Sequence, residues 1–282
     1  MRIMHNISSL IARRNLENSN HLLLKNLEKL SSGYRINRAS DDAAGLAISE
    51  KFRTQVAGLE QAIKNTRDGI SLIQTAEGAL TEIQMMVQRM RVLAVQCANE
   101  TYTSTDRSQA QVEVKQLIEE IDRMASAVQF NTKQLFKGHF DPDTKIDGKD
   151  GEPLRLHIGA NKDEILRITI KRFTASGLNI LNQSISTMMK AESAITRFQS
   201  AINLISIQRA NFGAYENRLD HIINGLGIAY ENMSASESRI KDLDMAMEMS
   251  DFTKNQILAQ AGTAMLAQSN SQPQMVLQLL GG

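Results

Sequence analysis

Two long stretches of the chain repeat apolar residues at alternating steps of three and four, the mark of helices that bury a narrow seam. In the first, Leu59, Ile63, Ile70, Ile73, Leu80, Val87, Met90, Ala94 and Cys97 keep the rhythm, interrupted at Thr66 and Glu77. In the second it runs from Leu181 and Ile185 through Met188, Ile195, Ile202, Ile205, Phe212, Leu219, Ile223, Leu226, Tyr230 and Met233 to Ile240. Val114, Leu117, Ile121, Met124 and Val128 give a shorter seam that ends by Gly138. Between the arms the period drops to two. Leu154, Leu156 and Ile158 alternate with polar residues, as do Leu166, Ile168 and Ile170, around a loop containing Gly159, Asn161 and Asp163. That pattern predicts a β-hairpin with one buried face.

The ends are patterned differently. Residues 4–32 read as an amphipathic helix with Leu16, Leu23 and Leu30 spaced by seven, and Ala12 and Leu27 between them. Gly33 stands where a left-handed cap would stop it. Ser40, Asp41 and Asp42 look like the start of the next helix, a capping hydroxyl followed by carboxylates at the positive dipole end. At the other end, Asn255 to Gly282 holds no charged residue and is rich in Gln and Asn. These stripes have no partner within their own segments, and unpartnered termini fray in water. They predict ends that become buried in an assembly.

Composition sharpens the architecture. The chain is 42% hydrophobic but 4% aromatic, with no Trp and 14 Met, and good helix formers dominate. Its prolines are Pro142, Pro153 and Pro273, which leaves both arms free of the strongest helix breaker. The expected fold is mainly α: a long antiparallel coiled-coil or helical bundle of N- and C-terminal arms with a small central β-hairpin. The segments expected are 1–140 (1–40 terminal helix and linker, 41–140 rod helices), 141–175 for the hairpin, and 176–282 (176–247 rod helix, 248–282 terminal helix).

Charge and chemistry mostly exclude. Net charge is +1, spread along the chain, so nucleic acid and anionic membranes lack the basic patch they require. No apolar run approaches the ~20 residues of a membrane span, and Met1–Leu10 lacks the apolar core of a cleavable signal peptide. Cys97 is the sole cysteine. His5, His21, His139, His157 and His221 lie far apart, without ligand spacing, so no metal or cofactor is expected. Gly225-Leu226-Gly227 sits inside a helical run rather than after a strand. Glu119-Glu120 and Asp41-Asp42 read as surface and helix-start charge, and the sequons at Asn6, Asn99, Asn182 and Asn232 as chance. No constellation here suggests an enzyme.

At residues 30–47, from Leu30-Ser31-Ser32-Gly33-Tyr34-Arg35 to Ala43-Ala44-Gly45-Leu46-Ala47, the sequence closely resembles bacterial flagellin. The likeness continues at Val87-Gln88-Arg89-Met90-Arg91-Val92-Leu93-Ala94-Val95-Gln96, at Ile158-Gly159-Ala160-Asn161, at Ser238-Arg239-Ile240-Lys241-Asp242, and through residues 256–268. Flagellins pair an N-terminal with a C-terminal region, and many insert large outer domains between them; here one hairpin joins the arms. In that respect, and at residues 213–219 and 229–238, the chain resembles spirochaete periplasmic core flagellins.

The resemblance implies a filament subunit for motility, exported unfolded through the flagellar secretion channel and folded at the filament tip. It implies a flagellar location, periplasmic if the spirochaete likeness holds and otherwise extracellular. Implied partners are further copies of itself and other flagellins, hook-junction and cap proteins, an export chaperone at the C-terminus, and sheath proteins. Gln88, Arg89, Leu93, Gln96 and Glu113 match positions that in other flagellins serve rod packing and recognition by an innate immune receptor. Leu16, Leu23, Leu27, Leu30, Leu266, Val276 and Leu279 would pack an inner tube. Gln268, Gln272 and Gln278 would be candidates to line its channel. A hook–filament junction protein and a coiled-coil assembly adaptor are the alternatives.

Overall fold

In the computed structural model, long three-four rhythms become helices. The structure describes residues 6–142, 145–146 and 149–280, with side-chain surroundings for 6–142, 151–272 and 275. Five helices are described: α1 (Ile7–Ser32), α2 (Ala43–Cys97), α3 (Ser104–Ala127), α4 (Met188–Lys241) and α5 (Met245–Leu280). The chain divides into two compact units, one formed by Ala57–Tyr230 and the other by both ends, Met1–Val56 with Glu231–Gly282.

In the Ala57–Tyr230 unit, α2 and α4 run antiparallel: Gln74 donates to Glu216 at 2.7 Å, and further along α2 Gln84 accepts from Arg209 at 2.9 Å. From Ile73 on, the α2 seam reads as its rhythm predicts, with Ile73, Leu80, Val87, Met90, Ala94 and Cys97 fully buried; before it, Ile63 and Ile70 are only half-buried because Ala62, Thr66 and Gly69 take the inner face. Both apparent interruptions fit the seam. Thr66 is buried and satisfies its hydroxyl on the Ala62 carbonyl at 2.7 Å, while Glu77 meets the Arg209 guanidinium at 3.3 Å.

The α4 seam departs from the expected phase. Its buried residues are Ala191, Ala194, Phe198, Ala201, Ile205, Gln208, Phe212 and Leu219. Ile195 and Ile202 are only half-buried at the edge of that core. The reason is volume. Alanines let α4 approach closely, and Phe198 and Phe212 fill the space between, so the largest aliphatics are displaced to the flank. Gln208 is tolerated inside because its Nε2 donates to the Thr169 carbonyl at 3.0 Å.

The helix also starts later than the rhythm suggests. Leu181 is exposed, and Ile185 is buried from a non-helical segment whose N–H donates to Gln111 Oε1 at 2.6 Å. This return segment adds Ile170, Phe173, Ala175, Leu178 and Ile180 to the core. Phe173 meets Phe136 edge-on, with ring centroids 5.7 Å apart.

On α3 the buried face is Val114, Ile118, Ile121 and Ala125, with Leu117 and Met124 half-buried. Thr103 and Asp106 form a reciprocal capping box at its start. The helix ends at Ala127, earlier than Gly138, because β1 (Gln129–Phe130) pairs with β2 (Lys133–Gln134). The predicted hairpin is β5 (Leu154–His157) with β6 (Ile165–Ile168), antiparallel, Leu156 opposite Leu166. Its alternation holds: Leu166 and Ile168 are buried while Ile165 and Arg167 face out. A third short pair, β3 (Lys145–Ile146) with β4 (Lys149–Asp150), falls in the loop-like Asp141–Pro153 stretch.

Candidate assembly surface

The terminal unit is built on α1 and α5, which pack antiparallel. Along α1 a sheltered seam runs through Ser9, Ala12, Leu16, Ser19, Leu23, Asn26 and Leu30, again in steps of three and four, with Lys25, Glu28 and Lys29 half-buried beside its last turns. On α5 the seam runs through Phe252, Asn255, Ala259, Gly262, Leu266 and Ser269, with Glu248 and Ser271 half-buried beyond its two ends. More than half of this seam is small or polar. Leu16 lies over Gly262, where an added Cβ would stand 3.2 Å from Leu16 Cδ1, so the glycine lets the helices close. Polar bonds hold the far end: Asn6 donates to the Ser269 carbonyl at 2.8 Å and Ser9 to Asn270 at 2.7 Å. Asn6 also caps α1 by accepting from the Ser9 N–H.

The larger apolar side chains lie elsewhere. Leu10, Ile11, Leu22, Leu24 and Leu27 on α1, and Ile257, Leu258 and Met265 on α5, are all exposed, Leu24 at 66% and Met265 at 65%. Ile11, Ala12, Leu16, Leu258, Ala261 and Met265 line an open groove of about 490 Å³. Among the described residues of this unit, Ile36 is the one buried apolar side chain outside glycine. The terminal helices therefore expose more large apolar side chains than they enclose.

A clasp joins the α1–α2 linker to the α4–α5 turn. Gly33 takes the left-handed conformation (φ 74°) that ends α1, and its carbonyl accepts from the Leu243 N–H at 3.0 Å. The Arg35 N–H donates to the Lys241 carbonyl at 2.7 Å, and its guanidinium donates to the Ile240 carbonyl at 2.6 Å. Arg35 thus satisfies carbonyls left open where α4 ends. Lys241 lies 5.0 Å from the Tyr34 ring centroid and 3.3 Å from Glu50.

The next residues anchor the linker. Asp41 accepts from Lys25 Nζ at 2.8 Å and from the Arg38 N–H at 3.1 Å. Lys25, and after it the Arg38 N–H, holds the Asp41 carboxyl below its ordinary range. Asp42, rather than Ser40, caps α2 by accepting from the Gly45 N–H at 2.9 Å. A Cβ at Gly45 would fall 2.8 Å from Ile36 Cδ1 and 2.4 Å from Asp42 Oδ2, so only glycine fits there.

The remaining expected positions are placed as follows. In the Ala57–Tyr230 unit, Gln88 and Arg89 are exposed on α2, and Arg89 makes a two-pronged pair with Glu113, at 2.7 and 3.2 Å. That carboxylate raises the Arg89 pKa. Gln96 donates to the Tyr102 hydroxyl at 2.6 Å, and Leu93 is buried in the core. Exposed Val92, Val95 and Val112 belong to the same helices. In the terminal unit, Leu16, Leu23, Leu30 and Leu266 are half-buried on the seam, and Leu27 is half-exposed off it. Gln268 and Gln272 are exposed; Gln278, Val276 and Leu279 lie outside the residues with described side chains. Ser9, Ser19, Asn26 and Arg35 were missed because small or polar residues carry no hydrophobic signal.

Residues 3–141 match the bacterial flagellin N-terminal helical region, and residues 195–280 match the C-terminal helical region. The chain belongs to the bacterial flagellin family. It is 49% identical over 286 residues to the flagellar filament 33 kDa core protein of Treponema phagedenis, covering 99% of this chain and all of that one. It is 50% identical over 285 residues to a flagellar filament core protein of Brachyspira hyodysenteriae, with the same coverage. A flagellin of Bacillus subtilis is 48% identical over 305 residues, covering 99% of this chain and all of its own. Among solved structures, a putative flagellar hook-associated protein from Vibrio parahaemolyticus shares the fold at a TM-score of 0.60 and 16% identity, over 72% of this chain and all of that one.

Flagellins are structural proteins rather than enzymes, and this one is a core subunit of the flagellar filament. Full-length likeness to filament core proteins disfavours a junction protein, since the hook-associated structure shares only the fold.

Proposed function

We propose that the chain forms the core of a periplasmic flagellar filament, reaching the growing tip unfolded through the flagellar secretion channel. The observation that carries this reading is the inverted patterning of α1 and α5, most of whose large apolar residues point away from their shared seam. Such a pair leaves its apolar surface to neighbouring copies, and burial there offsets the entropy of ordering the ends. The core-protein relatives from Treponema and Brachyspira support the periplasmic setting. A chain without disulfides and with few prolines suits threading. Its partners are other copies and other flagellins in the tube, junction and cap proteins at its ends, an export chaperone on the α5 segment, and sheath proteins outside.

Within the tube, the charge-free part of α5 from Asn255 onward lines the channel through Gln268, Gln272 and Gln278, whose neutral amides hydrate the wall without holding a passing charged chain. A charge placed there is repeated by every subunit, and a narrow low-dielectric bore focuses its field. The test combines two substitutions. Leu24→Gln should leave the soluble chain folded but prevent seeded growth of long tubes seen by electron microscopy. Gln268→Glu with Gln272→Glu should still polymerise when purified but give short filaments in cells. Long tubes from Leu24→Gln would refute the assembly surface, and full-length cellular filaments from the double variant would refute the channel wall.

A further inference from the structure

We infer that Asn26, read by Glu248, Phe252 and Asn255, makes the α1 seam specific for α5 rather than for a second α1 stripe. Asn26 is 7% exposed, the most sheltered position of α1. With its amide oriented donor to acceptor, Nδ2 donates to Glu248 Oε1 at 3.2 Å and to the Leu22 carbonyl at 2.9 Å. Its Oδ1 accepts from Asn255 Nδ2 at 3.1 Å and from the Phe252 N–H at 3.2 Å. An asparagine amide has two donor hydrogens and two acceptor lone pairs. Both pairs are used, and three of the four partners lie on α5. Lys29 holds the Glu248 carboxylate nearby, at 3.7 Å.

The leucines of the seam cannot choose a partner, and of its other polar bonds Ser9–Asn270 is exposed to water and Asn6–Ser269 only half-buried. Leu16, Leu23 and Leu30 present apolar surface, and apolar attraction is non-directional. An α1 stripe from a second copy would suit them equally well. The amide breaks that degeneracy. Placed against another stripe, Asn26 meets alkyl groups and keeps its desolvation penalty with no bond in return. A single polar seam residue that fixes pairing at some cost in stability is an attested device in coiled coils. The inference builds on the filament reading in one respect: mispairing matters most where the ends of many copies meet.

The experiment uses the full chain carrying Cys97→Ala, Ser9→Cys and Asn270→Cys, because Ser9 Oγ and Asn270 Oδ1 stand 2.7 Å apart. After seeded polymerisation and mild oxidation, a non-reducing gel separates disulfides closed within one chain from those joining two. The parent should give mostly within-chain closure. Asn26→Leu should raise the between-chain share about tenfold, and Asn26→Leu with Asn255→Leu should do the same, both without moving the melting of the Ala57–Tyr230 unit. Parental ratios in both variants would overturn the inference. Should Asn26→Leu stay soluble, the same gel decides: between-chain oligomers support the inference and singly closed chains refute it. Failure of the parent to sediment as filaments would count against the filament reading alone, and the gel ratio would still judge Asn26.

Discussion

The two units use the same three-four helical rhythm to opposite ends. In the Ala57–Tyr230 unit the rhythm encloses its apolar residues: Ile73, Leu80, Met90, Phe198 and Phe212 are all fully buried. In the terminal unit the sheltered seam is Ser, Ala, Asn and Gly interleaved with half-buried leucines, and Leu22, Leu24, Ile257 and Met265 face outward. One unit is finished within a single chain, whereas the other leaves its apolar faces for additional chains. Burial of apolar area is the main favourable term in folding, and isolated helices gain little without tertiary packing. The division of labour therefore follows from where the large side chains point, not from how helical each segment is.

The largest expected effect tests the finished unit. Phe198→Ala should destabilise the chain by ~3–5 kcal/mol, through lost burial and the cavity left behind. Calorimetry of the soluble chain would read it. A melting transition that does not move would mean the α4 seam has been assigned to the wrong face. Ile202→Ala, on the flank of the same helix, should cost clearly less than Phe198→Ala.

Gly45→Ala gives the next effect and probes the clasp. The new methyl has no room beside Ile36 and Asp42, and overpacking of this kind costs ~1–3 kcal/mol. The loss should fall on the linker and α1, seen as weakened polymerisation, while the main melting transition stays in place. A drop in that transition would show that the clasp supports both units.

Hydrogen exchange then sharpens the contrast without mutation. Amides of α1 and α5 should exchange freely in the soluble chain and become protected in filaments, while core amides of α2 and α4 are protected in both. Strong protection of residues 7–30 in verified monomer would contradict assembly-coupled ordering.

Acid provides the smallest effect. Because Lys25 and the Arg38 N–H depress the Asp41 pKa in the fold, the pair stabilises the linker above the ordinary carboxylate value of about 3.9. That contribution disappears as pH falls through the lower folded value. Asp41→Asn should therefore flatten the acid side of linker protection. An unchanged acid profile would show that other carboxylates govern it.

Much of this was legible in the sequence. Most of the α2 seam, the alternation of β5 and β6 and the Gly33 stop follow from local spacing, because period and φ preference are properties of a few neighbouring residues. The motif around Gly45 also advertised itself, although its cause, the crowding of Ile36 and Asp42, shows only in three dimensions. Less legible was α4, where the rhythm of large aliphatics hid the alanine-and-phenylalanine face that packs. Two phases of one helix can look equally apolar, and only the space left by α2 and the return segment selects between them.

Sequence alone determined that the chain is helical, joined by a hairpin, without a recognisable catalytic constellation, and striped at its ends with apolar residues that have no partner in their own segments. Those properties are carried by residue type and periodicity, which need no knowledge of neighbours. Tertiary structure decided which face of each helix is inside, that Arg35 closes the end of α4, and that Asn26 rather than Leu27 occupies the α1 seam. These depend on what stands opposite. A polar side chain can be buried only where another segment supplies its hydrogen bonds, and no local pattern records that partner.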